Sequence, residues 1–274
     1  MSDRTVFFLS DQSGVTAETL GHSLLTQFKG EDFYKITLPF IDSEDKAQQV
    51  VSRINQAAEK TGARPIVFST IVRSSIRSII RGSDGLHLDI FDAFVQPLED
   101  ELKLTSSPKP GKAHRMRDIE AYMHRIEATN FAMANDDGGR IRNYDRADVI
   151  LLGVSRSGKT PTCLYLALHY GIYAANFPLT DDELESGDLP PIILEQRHKL
   201  FGLTIAPERL REIRKERRSV GKYSSAQQVR YELREAKRIF DRYKIPCVDT
   251  TKFSIEEIAS SILEHTGVER RVRN

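Results

Sequence analysis

The sequence contains no tryptophan, only two cysteines and no long apolar run. A membrane-spanning helix takes about 20 consecutive apolar residues, so we expect a soluble chain with no membrane partner. Cys163 and Cys247 form neither a metal-binding spacing nor a disulfide framework, which is typical of a reducing compartment. Residues 1–4 carry no basic stretch followed by an apolar one, so no secretory signal is expected. Together these absences predict a cytoplasmic location.

Positive and negative charges nearly balance, with a formal net charge of +1, but one region is strongly basic. Residues 197–244 contain 15 Lys and Arg against 6 Asp and Glu. Acidic residues recur among the basic ones at helical spacing, which favours a solvated helix face with i,i+4 pairs. Aromatic residues that would stack on bases are few there, so no nucleic-acid partner is predicted. The alternative is a lid of arginines over bound phosphates, with Arg214, Arg217 and Arg218 as candidates.

Strand-like and helix-like segments alternate in both halves of the chain, which predicts an α/β fold of two units with mainly parallel sheets. In the first half we predict strands at 5–9, 35–41 and 65–70 and helices at 17–28 and 44–60. In the second half we predict strands at 148–152, 172–177, 200–205 and 245–248, and helices at 117–133, 162–169 and 207–218. A last helix is expected to begin at a capping box formed by Ser254 and Glu257.

The segment Leu104–Lys112 interrupts this alternation with two prolines, a glycine and two serines, which indicates a linker. We therefore predict an N-terminal α/β domain at residues 1–105, a linker at 106–116 and a P-loop kinase-like domain at 117–274. The sequence shows no internal repeat.

Residues 153–160 read GVSRSGKT and match the phosphate-binding pattern G-x-x-x-x-G-K-[ST] at every fixed position. Glycines let backbone N–H groups converge on phosphate oxygens, and the following helix adds the positive end of its dipole. Lys159 is expected to neutralise phosphate charge without being part of the core, and Thr160 to offer a hydroxyl to Mg²⁺. The predicted nucleotide-binding residues are Gly153, Val154, Ser155, Arg156, Ser157, Gly158, Lys159 and Thr160.

The motif does not identify the acidic residue that a phosphoryl-transfer site also needs. Asp181 and Asp182 follow the strand predicted at 172–177, where small P-loop kinases often place an acid. We predict that, beside the catalytic Lys159, one of them activates the acceptor or holds Mg²⁺. The alternatives are an acidic surface turn at Asp181 and Asp182, with either Asp249, after the last predicted strand, or Asp137 as the acid. No base-reading motif of the type found in GTPases is present.

A second loop, Ser10–Thr16, follows the first predicted strand and opens a helix. Ligands of open α/β sheets bind at the carboxyl ends of the strands, so its hydroxyls and Gly14 could bind an anion. The simpler interpretation is capping of the helix by Ser13 or Thr16.

Several longer segments resemble the bacterial phosphoenolpyruvate synthase regulatory proteins, which are part of a bifunctional kinase/pyrophosphorylase family that also regulates pyruvate, phosphate dikinase. The similarity runs nearly end to end. Glycine at 158 and Phe177-Pro178 favour the synthase branch, because the dikinase-regulating branch often differs there. The segments are Ser10-Asp11 with Thr16-Ala17-Glu18, Thr37-Leu38-Pro39-Phe40, Asn135-Asp136-Asp137-Gly138, residues 150–162, Ala175-Asn176-Phe177-Pro178, and residues 198–205 with 207–210.

The resemblance implies that the protein inactivates phosphoenolpyruvate synthase by phosphorylating a threonine with ADP as donor. It also implies reactivation by inorganic phosphate, which removes the group as pyrophosphate. Mg²⁺ is the expected metal, and a homodimer is compatible with the small oligomers of the family. The alternatives are a kinase of a small metabolite, the same regulation of pyruvate, phosphate dikinase, or a nucleotide-sensing partner protein without catalysis.

Overall fold

The structure is a computed structural model that describes residues 4–28, 32–106, 119–139, 141–217 and 222–271. The chain divides into two compact units, residues 1–115 and 116–274. The predicted linker at 106–116 lies outside the described residues except for Ser106, and Arg218 lies outside them as well. In the described part, no helix combines the length and the apolar composition needed to cross a membrane.

The N-terminal unit contains four strands, β1 (Arg4–Leu9), β2 (Phe33–Leu38), β3 (Ile66–Ser69) and β4 (Leu86–Asp89). Its helices are α1 (Val15–Leu25), α2 (Glu44–Thr61), α3 (Ser74–Arg81) and α4 (Ile90–Leu102). The strands form a parallel sheet of order β2-β1-β3-β4. Both faces of β1 are buried, one against α2 and α3 and the other against α1, which explains the four consecutive apolar residues at its end.

The C-terminal unit contains four strands, β5 (Val149–Gly153), β6 (Ala174–Pro178), β7 (Leu200–Thr204) and β8 (Cys247–Asp249). Its helices are α5 (Ile119–Ala134), α6 (Lys159–Tyr170), α7 (Asp181–Ser186), α8 (Pro191–Leu194), α9 (Pro207–Arg217), α10 (Ala226–Tyr243) and α11 (Ile255–Thr266). The strands form a second parallel sheet, of order β6-β5-β7-β8. Every residue of β5 is buried, with α10 packed on one face and α5, α6 and α11 on the other. Short 3-10 turns lie at Asp136–Gly138, Ile141–Arg146, Arg197–Lys199 and Lys222–Ser224.

These two sheets confirm the predicted α/β class with parallel strands. The capping box at the start of α11 is also confirmed, since Ser254 and Glu257 cap each other's backbone N–H groups. Six of these helices and strands were not predicted, namely α3, β4, α4, α7, α8 and α10. Helix α10 lies in the basic region and buries an apolar face at helical spacing, so part of that region packs against the sheet as well as facing solvent.

The two units share one strand order although the sequence shows no repeat. In both, the first strand leads through a five-residue loop to a helix whose N-cap is a left-handed glycine, Gly14 at φ 86° and Gly158 at φ 97°. Each loop passes into its helix through the sequence Ser-Gly-x-Thr, at residues 13–16 and 157–160. The variable position is Val15 in the first unit and Lys159 in the second. Only the second of these two loops therefore carries a cation at this position.

Candidate functional site

The loop between β5 and α6 has a backbone shape that requires glycine at two places. A Cβ added at Gly153 would lie only 2.6 Å from Leu203 O and from Ser157 Oγ. Gly158 has φ 97°, a conformation that side chains rarely adopt. Arg156 is also left-handed, with φ 73°. That conformation costs roughly 1–2 kcal/mol for a residue with a side chain, so the surrounding contacts must hold it in place.

This loop presents several hydrogen-bond donors without acceptors. The backbone N–H groups of residues 155, 156, 158, 159 and 160 donate to no atom of the described residues. Ser157 Oγ is buried and likewise has no hydrogen-bond partner within the described ranges. The positive end of the α6 dipole points at the same place. Such a concentration of free donors at a helix N-terminus fits an anion of the size of phosphate.

Lys159 lies inside the loop and is only 4% exposed, so the expectation that it stands apart from the core is wrong. Its Nζ donates to Gly153 O at 2.9 Å and to Val154 O at 3.0 Å. Burial lowers the pKa of this lysine to about 8, although the nearby carboxylates of Asp137 and Asp136 act in the opposite direction. The lysine is thus a cation held in a poorly solvated position, where an incoming phosphate would be a favourable counter-charge.

Two acids, Asp136 and Asp137, lie beside the loop in the 3-10 turn that follows α5. Thr160 Oγ1 donates to Asp136 Oδ1 at 2.8 Å, and Asn176 Nδ2 donates to the same oxygen. Asp137 is exposed and has φ 48°, a strained conformation for a residue with a side chain. Sequence reasoning named Asp137 only as an alternative acid, and it gave Asp136 no role beyond the family resemblance.

Asn176, on β6, fixes this acidic turn to the sheet. Its Oδ1 accepts the N–H of Asp137 at 3.0 Å, and its own N–H donates to Asn135 O at 3.3 Å. Its carbonyl accepts the hydroxyl of Tyr144 at 2.6 Å. Burial raises the pKa of Tyr144, so this hydroxyl stays a donor. Because Asn176 is paired with Leu151 of β5, the turn is held next to the strand that leads into the loop.

Asp181 and Asp182 are exposed in the first turn of α7. Within the described residues, their carboxylates form no hydrogen bond or ion pair, with the loop or elsewhere. Asp249 is engaged by Thr251, whose N–H donates to Asp249 Oδ1 at 2.8 Å. The assignment of Asp181 and Asp182 as catalytic groups stays a prediction. Asp136 contacts the loop through Thr160, and the charges of Asp136 and Asp137 both act on Lys159.

Arg214 is fully buried, so the prediction of an arginine lid over bound phosphates is wrong for this residue. Its guanidinium donates to Ser155 O, to Tyr223 O and to Glu232 Oε2. These three acceptors hold it within the protein. The side chain of Arg217 and the whole of Arg218 lie outside the described residues.

The donor set beside the loop fits Mg²⁺. No group of three or more His, Cys, Asp or Glu side chains that could hold a metal occurs within the part of the chain that the structure describes. Mg²⁺ in phosphate-transfer sites commonly takes only one or two protein ligands and completes its shell with water and phosphate oxygens. The Thr160 hydroxyl and the Asp136 carboxylate, 2.8 Å apart, supply such a pair.

The corresponding loop of the N-terminal unit differs from this arrangement. Helix α1 has Gly14 as its N-cap and no side-chain capping hydrogen bond, so the predicted capping by Ser13 or Thr16 is wrong. Asp11 is buried and accepts the N–H of Val72 at 3.1 Å. Without a lysine at the position of Val15, this loop lacks the charge that makes the C-terminal loop suited to phosphate.

Comparison with known proteins assigns the chain to a family. The family model described as kinase/pyrophosphorylase matches residues 6–263. A protein of Alcanivorax borkumensis is 52% identical over 270 residues, which cover 98% of this chain and 99% of the relative. A protein of Pseudomonas putida is 53% identical with the same coverage, and one of Marinobacter nauticus is 52% identical over 97% of this chain and 98% of the relative. All three relatives carry the name phosphoenolpyruvate synthase regulatory protein. This chain belongs to the kinase/pyrophosphorylase family.

Proposed function

We propose that this protein transfers the β-phosphoryl group of ADP to a threonine of phosphoenolpyruvate synthase, and returns that group to inorganic phosphate in a second reaction. In the forward step the threonine oxygen bonds to the β-phosphorus, its proton passes to a base, and AMP leaves. In the second step an oxygen of inorganic phosphate bonds to the phosphothreonine phosphorus. The threonine oxygen then takes up a proton, and pyrophosphate leaves. The observation that best supports this proposal is that free N–H groups, the Lys159 ammonium and the Asp136 carboxylate lie together at one loop. The chain that carries this loop belongs to the kinase/pyrophosphorylase family.

In this proposal the loop residues bind and orient the phosphates. The free N–H groups of residues 155, 156, 158, 159 and 160 hold phosphate oxygens, and Lys159 neutralises their charge. Phosphoryl transfer needs little covalent participation by the protein, because positioning and charge neutralisation supply most of the catalysis. Thr160 and Asp136 would hold Mg²⁺, which supplies further charge neutralisation at the phosphate oxygens.

We assign the role of the base to Asp137. Asp136 is engaged by Thr160 and Asn176, whereas Asp137 is exposed and its charge favours the protonated form of the buried lysine. A base for a protein substrate has to reach an incoming hydroxyl, which an exposed carboxylate beside the loop can do. The strained backbone of Asp137 is held by the hydrogen bond from its N–H to Asn176. Asp181 and Asp182 remain the alternative.

The test is incubation with purified phosphoenolpyruvate synthase and Mg²⁺, with either ADP or ATP, followed by mass mapping of the synthase. The expected result is one phosphothreonine with ADP, AMP in equal amount, and loss of synthase activity. Inorganic phosphate should then restore activity and release pyrophosphate. Nucleotide turnover without the synthase would instead indicate a kinase of a small metabolite. Binding of nucleotide without any turnover would indicate a sensing protein.

A further inference from the structure

We propose that Arg214 is a positioning residue that sets the orientation of the Ser155–Arg156 peptide and thereby the phosphate affinity of the loop. The inference rests on the proposed function of residues 153–160 as the phosphate site. Arg214 is 0% exposed and is the largest fully buried side chain of the described residues. Burial of an arginine lowers the stability of a protein unless its N–H donors find acceptors. The acceptors of Arg214 therefore indicate its role.

The guanidinium of Arg214 binds three acceptors in different directions. Nη2 donates to Ser155 O at 3.0 Å and to Glu232 Oε2 at 2.6 Å, and Nη1 donates to Tyr223 O at 3.1 Å. The ring of Tyr223 covers the guanidinium at 4.3 Å, and its hydroxyl lies 2.9 Å from Ser155 Oγ. Arg214 of α9 and Tyr223 of the following turn therefore both contact Ser155, and Glu232 of α10 holds Arg214.

The bond to the Ser155 carbonyl has a consequence on the other side of the same peptide. In a planar trans peptide, the C=O of one residue and the N–H of the next point in opposite directions. Arg214 holds the Ser155 carbonyl on its own side, so the N–H of Arg156 faces away from Arg214. That N–H is one of the free donors of the loop. Arg156 has φ 73°, so this peptide needs an anchor to keep its orientation.

A lysine could not replace this arginine. Its ammonium is a compact charge on a flexible stem, whereas guanidinium presents five donors in a fixed planar fork. Glu232, which balances the charge, is itself held by Gln228 Nε2 at 3.1 Å. Glu232 therefore makes the buried arginine tolerable, and Ser155 is the acceptor through which Arg214 acts on the loop.

The test measures binding of ADP and of inorganic phosphate to the full chain by titration calorimetry, with thermal unfolding of each variant as the measure of folding. The main variant is Arg214→Met/Glu232→Met, because removing both partners of a buried ion pair is often neutral for stability. The matched control is Arg211→Met, which removes an exposed arginine from the same helix. The second variant is Arg214→Lys, which keeps a positive charge opposite Glu232.

The dissociation constants of both ligands are expected to rise about 10- to 100-fold in the double variant, the usual effect of losing a charged hydrogen bond. Arg214→Lys should show a similar rise at an unfolding temperature close to that of the control. If the double variant does not fold, the ligand affinities of Arg214→Lys test the proposal, because this variant keeps a positive charge opposite Glu232. A folded variant of either kind that binds like Arg211→Met would overturn the inference. Wild-type protein that binds neither ligand would instead overturn the proposed function.

Discussion

Replacing Lys159 with methionine is expected to stabilise the free protein at neutral pH while abolishing phosphoryl transfer. Methionine keeps an unbranched stem but removes the ammonium that donates to Gly153 O and Val154 O. Both carbonyls retain another donor, Leu179 N at 3.1 Å for Gly153 O and Ser157 N at 3.3 Å for Val154 O. Loss of the ammonium therefore leaves neither acceptor without a hydrogen bond.

The size of the effect follows from the burial of Lys159. Its pKa falls from the ordinary value of 10.5 to about 8, which corresponds to a cost of about 3 kcal/mol for charging it in the folded chain. Below pH 8 this cost is fully present. Between about pH 8 and 10.5 the unfolded chain binds more protons than the folded one, so wild-type stability rises with pH there. We expect the variant to be about 1–3 kcal/mol more stable at pH 7, and this advantage to shrink by about 2 kcal/mol at pH 9.5.

Urea unfolding at both pH values measures the free energy of unfolding, and phosphorylation of purified synthase with ADP measures the activity. Removal of a preorganised charge typically lowers the rate by about 100- to 1000-fold or more. Arg211→Met, which removes an exposed cation, is the control and should change neither quantity much. A variant destabilised by the same amount at both pH values would refute the burial argument. Transfer at a near wild-type rate would refute the role of Lys159 in phosphate binding.

Three further predictions concern the same site. Asp137→Asn should lower turnover by about 100-fold or more with little change in ADP affinity, and a larger loss in Asp181→Asn or Asp182→Asn would move the base to α7. ADP should compete with inorganic phosphate in the dephosphorylation assay, because one loop is proposed to bind both ligands. A shared loop would be contradicted by inhibition that added phosphate cannot relieve. It would also be contradicted if Lys159→Met impaired only phosphorylation or only dephosphorylation. Gly153→Ala should lower the free energy of unfolding by about 1–3 kcal/mol in chemical denaturation, since its Cβ would lie 2.6 Å from a backbone carbonyl oxygen, and an unchanged midpoint would show that the loop adapts.

The central strands of both sheets were predicted well, whereas several amphipathic helices were not. Strand β1 ends in four consecutive apolar residues because both of its faces are buried. Helix α4 carries apolar residues at helical spacing, namely Phe91, Phe94, Leu98 and Leu102, but all four are exposed and the helix buries none of its residues. Helix α10 does bury a stripe, but charged residues dominate the region and suggested only a solvated helix face. An apolar stripe therefore does not guarantee burial, as α4 shows, and it is hard to detect where surface charge outweighs it, as in α10.

The sequence by itself determined the parallel α/β class and the conspicuous loop at residues 153–160, because strand period, glycine placement and the motif are local properties of the chain. Only the tertiary structure decided which acids lie at that loop. Asp136 precedes Thr160 by 24 residues, and the two meet because Asn176 on the neighbouring strand holds the acidic turn against the end of β5. The burial of Lys159 and Arg214 was equally beyond the sequence, since long charged side chains are normally exposed. Their burial depends on acceptors that packing brings together from distant segments.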